Sequence, residues 1–277
     1  MPDHPANAPA PNVNPIHVRT AGDGPPALLL HSHGMSGRQF RALEAALVPR
    51  GFRVIIPDFI GHGRSEPWPD TQFHFRHELG SIRSLVLDAG APVHLVGHSY
   101  GGFLALCLAV AHPEAVASLS LYDPVAFGVL DRAVDPEWDG DLARIRFGWG
   151  TTAEERDAWL RGFVDYWSGE GTWASLRPEA REGFTRAGRV IHDGAEALTG
   201  DRTPVSAYAG LHLPTLLLTG ASTPPAERRV VARLAAAIPG ARQVTLAGAG
   251  HMGPLTHGEA VAQEIVAHLE ASRRPRV

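Results

Sequence analysis

GHSYGG at residues 97–102 is the stretch around which the chain is organised. It follows a short apolar run at residues 92–96 and opens a run at residues 103–110 that is apolar on every side. A strand that enters a buried helix through such a turn matches G-x-S-x-G, the nucleophile elbow. The flanking glycines remove side chains that would collide beside Ser99, and the N–H of Tyr100 is free to receive an oxyanion. The alternative is a glycine-rich strand-to-helix turn with an incidental serine.

The composition indicates one globular domain with an insertion and no nucleic-acid partner. The chain has 277 residues and is 44% hydrophobic, enough to bury one large core. Lys and Arg total 25 against 29 Asp and Glu, and the formal charge of -4 does not favour a polyphosphate partner. The single cysteine, Cys107, lies in the apolar run after the elbow and is expected to be a core side chain.

The N-terminal segment and the apolar stretches bear on localisation. Residues 1–15 contain five prolines and are predicted to form a disordered tail. This segment lacks the basic and apolar regions of a secretory signal. No apolar stretch reaches the roughly 20 residues that a membrane helix needs. We therefore expect a soluble cytoplasmic protein without a membrane partner, whereas oligomeric state is not addressed by the sequence.

Short apolar segments alternate with helical patterns on both sides of the elbow. The segments predicted to be strands are residues 16–20, 27–30, 52–56, 92–96, 116–122, 213–219 and 241–246. Between strands, apolar residues recur at helical spacing, as Leu79, Ile82 and Val86 do. Continuously apolar strands favour a mostly parallel central sheet with helices on both faces, the α/β class. Functional sites in such sheets lie beyond the carboxyl ends of the strands.

Residues 124–208 differ in character from the segments around them. No strand pattern is evident there, and five of the six tryptophans fall in this segment. We predict a helical cap inserted into a core formed by residues 16–123 and 209–277, walling an apolar pocket for a small hydrophobic substrate. The candidate pocket residues are Trp138, Trp149, Trp159, Phe163 and Trp167. For any single aromatic side chain, packing is the commoner role.

A serine nucleophile needs a base within hydrogen-bonding reach, and that base needs an orienting acid. Among the fifteen histidines, His251 is the best candidate, because its glycine-rich loop follows the last strand at the same sheet edge as Ser99. The others on strand-end loops adjoin a turn, the elbow or a helix start, which favours structural roles: His31, His33, His62, His98 and His257. No close histidine pair with a third ligand has zinc spacing, so neither a metal nor another cofactor is expected.

With these motifs in this order, the chain resembles the α/β-hydrolase fold family. The likeness covers about residues 16–269 and rests on HSHGM, PDFIGHGRS, GHSYGG, the inserted cap and GAGHMGP. It implies that Ser99 is the nucleophile and His251 the general base. It also implies an oxyanion hole formed by the N–H groups of Tyr100 and Met35. Because HSHG contains two histidines, Ser32 competes with Met35 for the second donor position.

The acid of the triad is less directly indicated. Many relatives place it in a loop after the strand that here is residues 213–219, but this chain has TGASTPP there, with no carboxylate before Glu227. Other family members place it after the strand that follows the elbow helix, which here gives Asp123 in SLYDPV. Asp123 could instead merely begin a turn before Pro124. Asp201 is the second choice.

The resemblance implies acyl transfer through an acyl-enzyme on Ser99, with a medium-sized hydrophobic ester, lactone or thioester as substrate. In this family, the resemblance associates dehalogenase and epoxide hydrolase activity with an aspartate nucleophile at the elbow position. The serine found there argues against both activities. Two alternatives stay open. The triad could support carbon–carbon bond hydrolysis, cofactor-free perhydrolysis or lyase chemistry, or the protein could be a non-catalytic small-molecule binding protein of the same fold.

Overall fold

The computed structural model describes residues 15–69, 71–131, 133–135, 140–145 and 148–273. All but the last residue of the expected tail therefore lie outside the described residues. Seven strands form one sheet: β1 Val18–Ala21, β2 Pro26–Leu30, β3 Arg53–Pro57, β4 Val93–His98, β5 Val116–Tyr122, β6 Thr215–Gly220 and β7 Arg242–Leu246.

The strands are arranged in the order β1-β3-β2-β4-β5-β6-β7. The edge strand β1 is antiparallel to β3, and every other pair is parallel. This mostly parallel sheet confirms the predicted class. It also places β4 at the centre, so the residues that follow β4 leave the sheet between the strands β2 and β5. The carboxyl end of β4 is therefore walled on both sides, as a site at that edge requires.

Helices occupy the segments between strands. The α-helices of the described residues are α1 Arg41–Leu47, α2 Phe75–Leu87, α3 Tyr100–Ala111, α4 Ala153–Ser168, α5 Thr172–Ser175, α6 Pro178–Gly200, α7 Pro225–Ala237, α8 Gly253–Thr256 and α9 Gly258–Ala271. Short 3-10 helices occur at Gly37–Phe40, Val48–Arg50, Pro113–Ala115, Phe127–Val129, Leu142–Ile145 and Val205–Tyr208.

Both faces of the sheet are covered, because its strands are apolar on both sides. Leu28 and Leu30 of β2 belong to a core that includes residues of α2, α3 and α7, whereas Leu29 belongs to a second core with residues of α1 and α9. All three leucines are fully buried. Successive side chains of a strand point to opposite faces, so a continuous apolar run can be satisfied only between two layers of helices.

The regular secondary structure described between β5 and β6 is helical. It contributes α4, α5 and α6, and the exact division at residues 124 and 208 remains a prediction. Helix α6 lies against the loop after β2, since a Cβ added at Gly194 would collide with the ring of His33. This contact brings the inserted helices over the carboxyl edge of the sheet. Within the described ranges, no helix has the length and apolar character needed to cross a membrane.

Candidate active site

Ser99, His251 and Asp123 lie together at the carboxyl edge of the sheet. Ser99 follows β4, Asp123 follows β5, and His251 lies in the loop after β7. The Nε2 atom of His251 is 3.0 Å from Ser99 Oγ, and its Nδ1 atom is 3.1 Å from Asp123 Oδ2. With Nδ1–H donating to the carboxylate, Nε2 can accept the hydroxyl proton. The three side chains therefore have the arrangement of a Ser–His–Asp relay.

The backbone is unusual at both ends of this relay. Ser99 has φ 55° and ψ -120°, and Asp123 has φ 45°. They are the two non-glycine residues with positive φ in the described part of the chain. The N–H of Ser99 donates to Tyr122 O at 2.9 Å, and that of Asp123 donates to Leu218 O at 3.0 Å. Neighbouring strands thus hold two conformations that side-chain-bearing residues rarely adopt.

The glycines of the elbow permit a close approach of three backbone segments. A Cβ added at Gly97 would lie 2.5 Å from the carbonyl oxygen of Gly101. One added at Gly101 would collide with the carbonyl of Leu30, and one at Gly102 would lie 2.8 Å from Pro124 Cβ. The sequence spacing is explained by this packing, because only hydrogen fits where the helix leaves the strand.

The loop that carries His251 is anchored by the residues that precede the other two triad members. His98 Nε2–H donates to the carbonyl oxygen of His251 at 2.8 Å, and the Tyr122 hydroxyl donates to that of Gly250 at 2.7 Å. The sequence pattern predicted only a structural role for His98 and did not single out Tyr122. Adjacency to Ser99 and Asp123 was the available signal, since residues next to each other at strand ends share an edge.

The carboxylate of Asp123 receives a second donor from the loop after β6. The hydroxyl of Thr223 donates to Asp123 Oδ2 at 2.8 Å. TGASTPP therefore supplies a hydroxyl to an acid that comes from the neighbouring strand, a role that the sequence did not reveal. Asp201 is elsewhere, at the end of α6, where its Oδ1 accepts from the N–H and hydroxyl of Thr203. The structure brings Asp123, and not Asp201, to His251.

Burial sets the electrostatics of the relay. Burial lowers the pKa of His251 from 6.5 to about 3, so the ring is a neutral base at neutral pH. Burial raises the pKa of Asp123 to about 8, an effect that the hydroxyls of Thr219 and Thr223 oppose. Each charge alone is costly in this environment. The least costly way to form them is together, as an imidazolium paired with a carboxylate.

A second carboxyl lies near the acid. Glu227, in the first turn of α7, is fully buried, and in the described residues neither of its oxygens has a hydrogen-bonding partner. Burial and the neighbouring Asp123 carboxylate raise the pKa of Glu227 well above its usual value. Two nearby buried carboxyls cannot both ionise cheaply. Since Asp123 has hydroxyl and imidazole donors, Glu227 is the carboxyl that holds its proton to the higher pH.

The N–H groups of the loop after β2 differ in whether they already have an acceptor. The N–H of Met35 donates to Ser32 O at 3.2 Å, so it is engaged in a turn, and its predicted oxyanion role stays a prediction. The competing N–H of Ser32 donates to Gln39 Oε1 at 3.3 Å. By contrast, no described group accepts a hydrogen bond from the N–H of His33, whose ring stacks on Tyr100 with centroids 3.6 Å apart.

A small apolar cavity adjoins Ser99. Its volume is about 20 Å³, which is room for about one water molecule. It is lined by His33, Ser99, Tyr100, Val125, Phe127, Ile145, Phe163, Trp167, Ala195 and Leu198. Of the five predicted pocket residues, Phe163 and Trp167 therefore line it.

Trp149 and Trp159 do not line this cavity, and their place in the substrate pocket stays a prediction. Their rings contact each other and the ring of His192 inside the helical insertion, with Trp159 fully buried. They pack helices against one another, the commoner role of aromatic side chains. Trp138 lies outside the described residues.

One group of side chains in the described residues has the spacing of metal ligands. Ligand atoms of His192, Asp193 and Glu196 lie within 4.8 Å of one another. However, Asp193 Oδ2 already accepts from Arg189 at 2.7 Å and from the N–H of Phe73 at 2.8 Å. These contacts tie α6 to the segment before α2, a structural role that needs no ion.

Comparison with known proteins bears on the family. The model of the Alpha/beta hydrolase family matches residues 27–264. The chain is 38% identical to lipase LipV of Mycobacterium tuberculosis over 39% of this chain, spanning 41% of that protein's length. It is 27% identical to a 2-hydroxymuconate semialdehyde hydrolase of Pseudomonas putida over 89% of this chain and 88% of that one. An enol-lactonase from Burkholderia xenovorans superimposes with a TM-score of 0.71 at 23% identity, over 92% and 96% of the two chains.

Proposed function

The chain belongs to the α/β-hydrolase family and is a hydrolase, and we propose that it acts through an acyl-enzyme on Ser99. The observation that carries this proposal is the relay in which His251 lies 3.0 Å from Ser99 Oγ and 3.1 Å from Asp123 Oδ2. In this proposal Ser99 is the nucleophile, His251 the general base, and Asp123 the acid that orients it.

The first half-reaction forms the acyl-enzyme. Ser99 Oγ bonds to the carbonyl carbon while its proton moves to His251 Nε2 and the carbonyl electron pair moves onto oxygen. We assign the two oxyanion donors to the N–H groups of Tyr100 and His33, the first because it opens α3, the second because it has no other acceptor. When the tetrahedral species collapses, the bond to the leaving group breaks and His251 protonates that group. Water then repeats the sequence and releases the acid.

We propose an ester, lactone or thioester with an apolar acyl part as the substrate. The lining residues Phe163, Trp167 and Leu198 favour an apolar group beside Ser99. The described cavity of about 20 Å³ has room for about one water molecule, which is less than an acyl group needs. A medium-sized acyl group, as the sequence suggested, would require an aromatic side chain of α4 to move.

Carbon–carbon bond hydrolysis is the second candidate function. It is favoured by the match to the semialdehyde hydrolase, which extends over 89% of this chain. The same relay serves that reaction, with a carbon leaving group that His251 protonates. A non-catalytic binding role loses its main support, because the TGASTPP loop, which had suggested it, provides Thr223 to the acid.

Intact-mass analysis after exposure to a fluorophosphonate tests the proposal. The wild type should gain one adduct, whereas Ser99→Ala and His251→Ala should gain none. Asp123→Asn should slow labelling strongly while the fold is retained, and Asp201→Asn is its matched control with unchanged labelling. An unlabelled, folded wild type would contradict the proposal. A panel of acetyl, hexanoyl and thioacetyl esters, a lactone and a vinylogous 1,5-diketone then separates the two candidate reactions.

A further inference from the structure

The indole of Trp167 lies over the imidazole of His251. The ring centroids are 4.0 Å apart and the ring planes are 32° from parallel. Trp167 is in the last turn of α4 and is 8% exposed, while His251 is 2% exposed. An aromatic face therefore covers the ring that would receive the proton of Ser99, and it keeps water away from that ring.

Three neighbouring aromatic rings hold the indole in place. Tyr166 packs edge-on with centroids 4.7 Å apart, and Phe163 does so at 6.5 Å. Phe127, which follows β5, stacks within 18° of parallel at 6.4 Å. The position of Trp167 over His251 is thus fixed by packing from both the insertion and the sheet edge, and no ligand is needed to create it.

The other neighbours of His251 leave a role for an electron-rich group over the face of its ring. Asp123 meets the ring in its plane through Nδ1, and Ser99 meets it through Nε2. The ring of His98, with a pKa that burial holds well below its usual value, is neutral and 5.0 Å away. A cation is attracted to the electron-rich face of tryptophan, most strongly when both are desolvated. The ring face of His251 is where such an attraction operates here.

We propose that Trp167 is a catalytic group whose indole face stabilises the imidazolium formed on His251, an inference that rests on the proposed function. As Ser99 Oγ bonds to the acyl carbon, its O–H bond breaks and the proton moves to Nε2, so positive charge develops beneath the indole. The charge disappears when His251 protonates the leaving group. The neutral ring of the resting enzyme gains less from the indole, so the interaction favours the transition state.

Fluorinated tryptophan tests this proposal at nearly constant shape. Fluorine withdraws electron density from the indole face while leaving packing and apolar cover almost unchanged. Wild type and Trp167→Phe are produced with tryptophan, 5-fluorotryptophan or a difluorotryptophan. The measured quantity is the second-order rate constant for fluorophosphonate labelling, in which the bond from Ser99 Oγ to phosphorus forms and fluoride leaves. Trp167→Phe is the matched control because it retains the other five tryptophans, all fluorinated.

The expected result is a wild-type rate that falls by about twofold or more with each fluorine, and a Trp167→Phe rate that does not change. Trp167→Leu, which keeps apolar cover but no aromatic face, should label at least about tenfold more slowly than Trp167→Phe. Equal rates for all three wild-type preparations would overturn the proposal and leave Trp167 as cover alone. Parallel losses in both proteins would also overturn it. Labelling that survives in Ser99→Ala would instead contradict the proposed function.

Discussion

The hydroxyl of Tyr122 donates a 2.7 Å hydrogen bond to the carbonyl oxygen of Gly250. Tyr122 precedes the proposed acid, Asp123, and Gly250 precedes the proposed base, His251. The hydrogen bond therefore joins the two segments that carry the acid and the base. Tyr122→Phe should lower the rate of fluorophosphonate labelling about five- to tenfold, because the His251 loop loses an anchor worth about 1 kcal/mol. Its free energy of unfolding, from urea titration, should fall by a similar amount. A labelling rate equal to that of the wild type would show that His98 suffices to hold the loop.

Thr223 offers a test of how the acid is oriented. Thr223→Val has nearly the same shape but lacks the hydroxyl that donates to Asp123 Oδ2 at 2.8 Å. We expect labelling to slow by about tenfold, the loss of roughly one charge-assisted hydrogen bond. Thr223→Ser keeps the hydroxyl and is the control, which should stay within about threefold of the wild type. If valine and serine behave alike, the contact does not serve catalysis.

The proposed oxyanion donors can be tested by changing one backbone atom. Replacing histidine 33 by its α-hydroxy acid turns the amide N–H into an ester oxygen while keeping the side chain. Turnover of an activated acetyl ester should fall about a hundredfold to a thousandfold if that N–H binds the oxyanion. The same replacement at Met35 removes only the turn contact to Ser32 O, and turnover should be nearly unaffected. A larger loss at Met35 than at His33 would reverse the assignment.

The free energy of unfolding should be greatest at about pH 6.5, because two sets of buried groups change it in opposite directions as the pH changes. Burial strongly lowers the pKa of six histidines, to about 3 for His31 and His251, to about 4 for His62 and His94, and well below 6.5 for His33 and His98. They bind protons only on unfolding, so their contribution is lost as the pH falls below 6.5. Burial raises the pKa of Glu78 and Asp123 to about 8 and that of Glu227 well above 4.5. The stability that these carboxyls contribute is lost as the pH rises from 4.5 towards their pKa values in the folded protein.

Below pH 6 these six histidines outweigh the three carboxyls by about three protons, so the free energy of unfolding should fall by about 4 kcal/mol for each unit of pH decrease. At pH 7.5 the carboxyls dominate, and stability should fall again. Urea unfolding at pH 5.5, 6.5 and 7.5 measures both slopes. Glu78→Gln removes one raised carboxyl outside the relay and should flatten the alkaline side. A steady rise from pH 5.5 to 7.5 would contradict this balance.

The relay could be predicted from the sequence because each member lies at a strand end. Ser99 is marked by glycines that the elbow needs, and Asp123 and His251 follow apolar strands whose carboxyl ends share one edge. The partners of these residues could not be predicted in the same way. Thr223 reaches Asp123 across 100 residues of chain, and such a contact depends on the pairing of β5 with β6, which no local pattern encodes.

The oxyanion donors and the pocket residues were harder to predict from the sequence, for different reasons. HSHGM offers several N–H groups, and which one is free depends on the turn that joins Met35 to Ser32. The tryptophans of the insertion share a composition but not a role. Trp167 reaches His251, whereas Trp159 is enclosed between helices. Helical spacing identifies a buried face, but it does not distinguish a neighbouring helix from a cavity.

The pairing of β5 with β6 has a consequence for how this protein can be changed. Tyr122 and Leu218 are direct register partners, although the whole helical insertion lies between them. The insertion is therefore a loop whose two ends are already fixed side by side. The entropy cost of closing a loop grows only by about 0.6 kcal/mol for each doubling of its length. Insertions of other sizes could be grafted between these ends, giving chimaeras with a new specificity and an intact sheet.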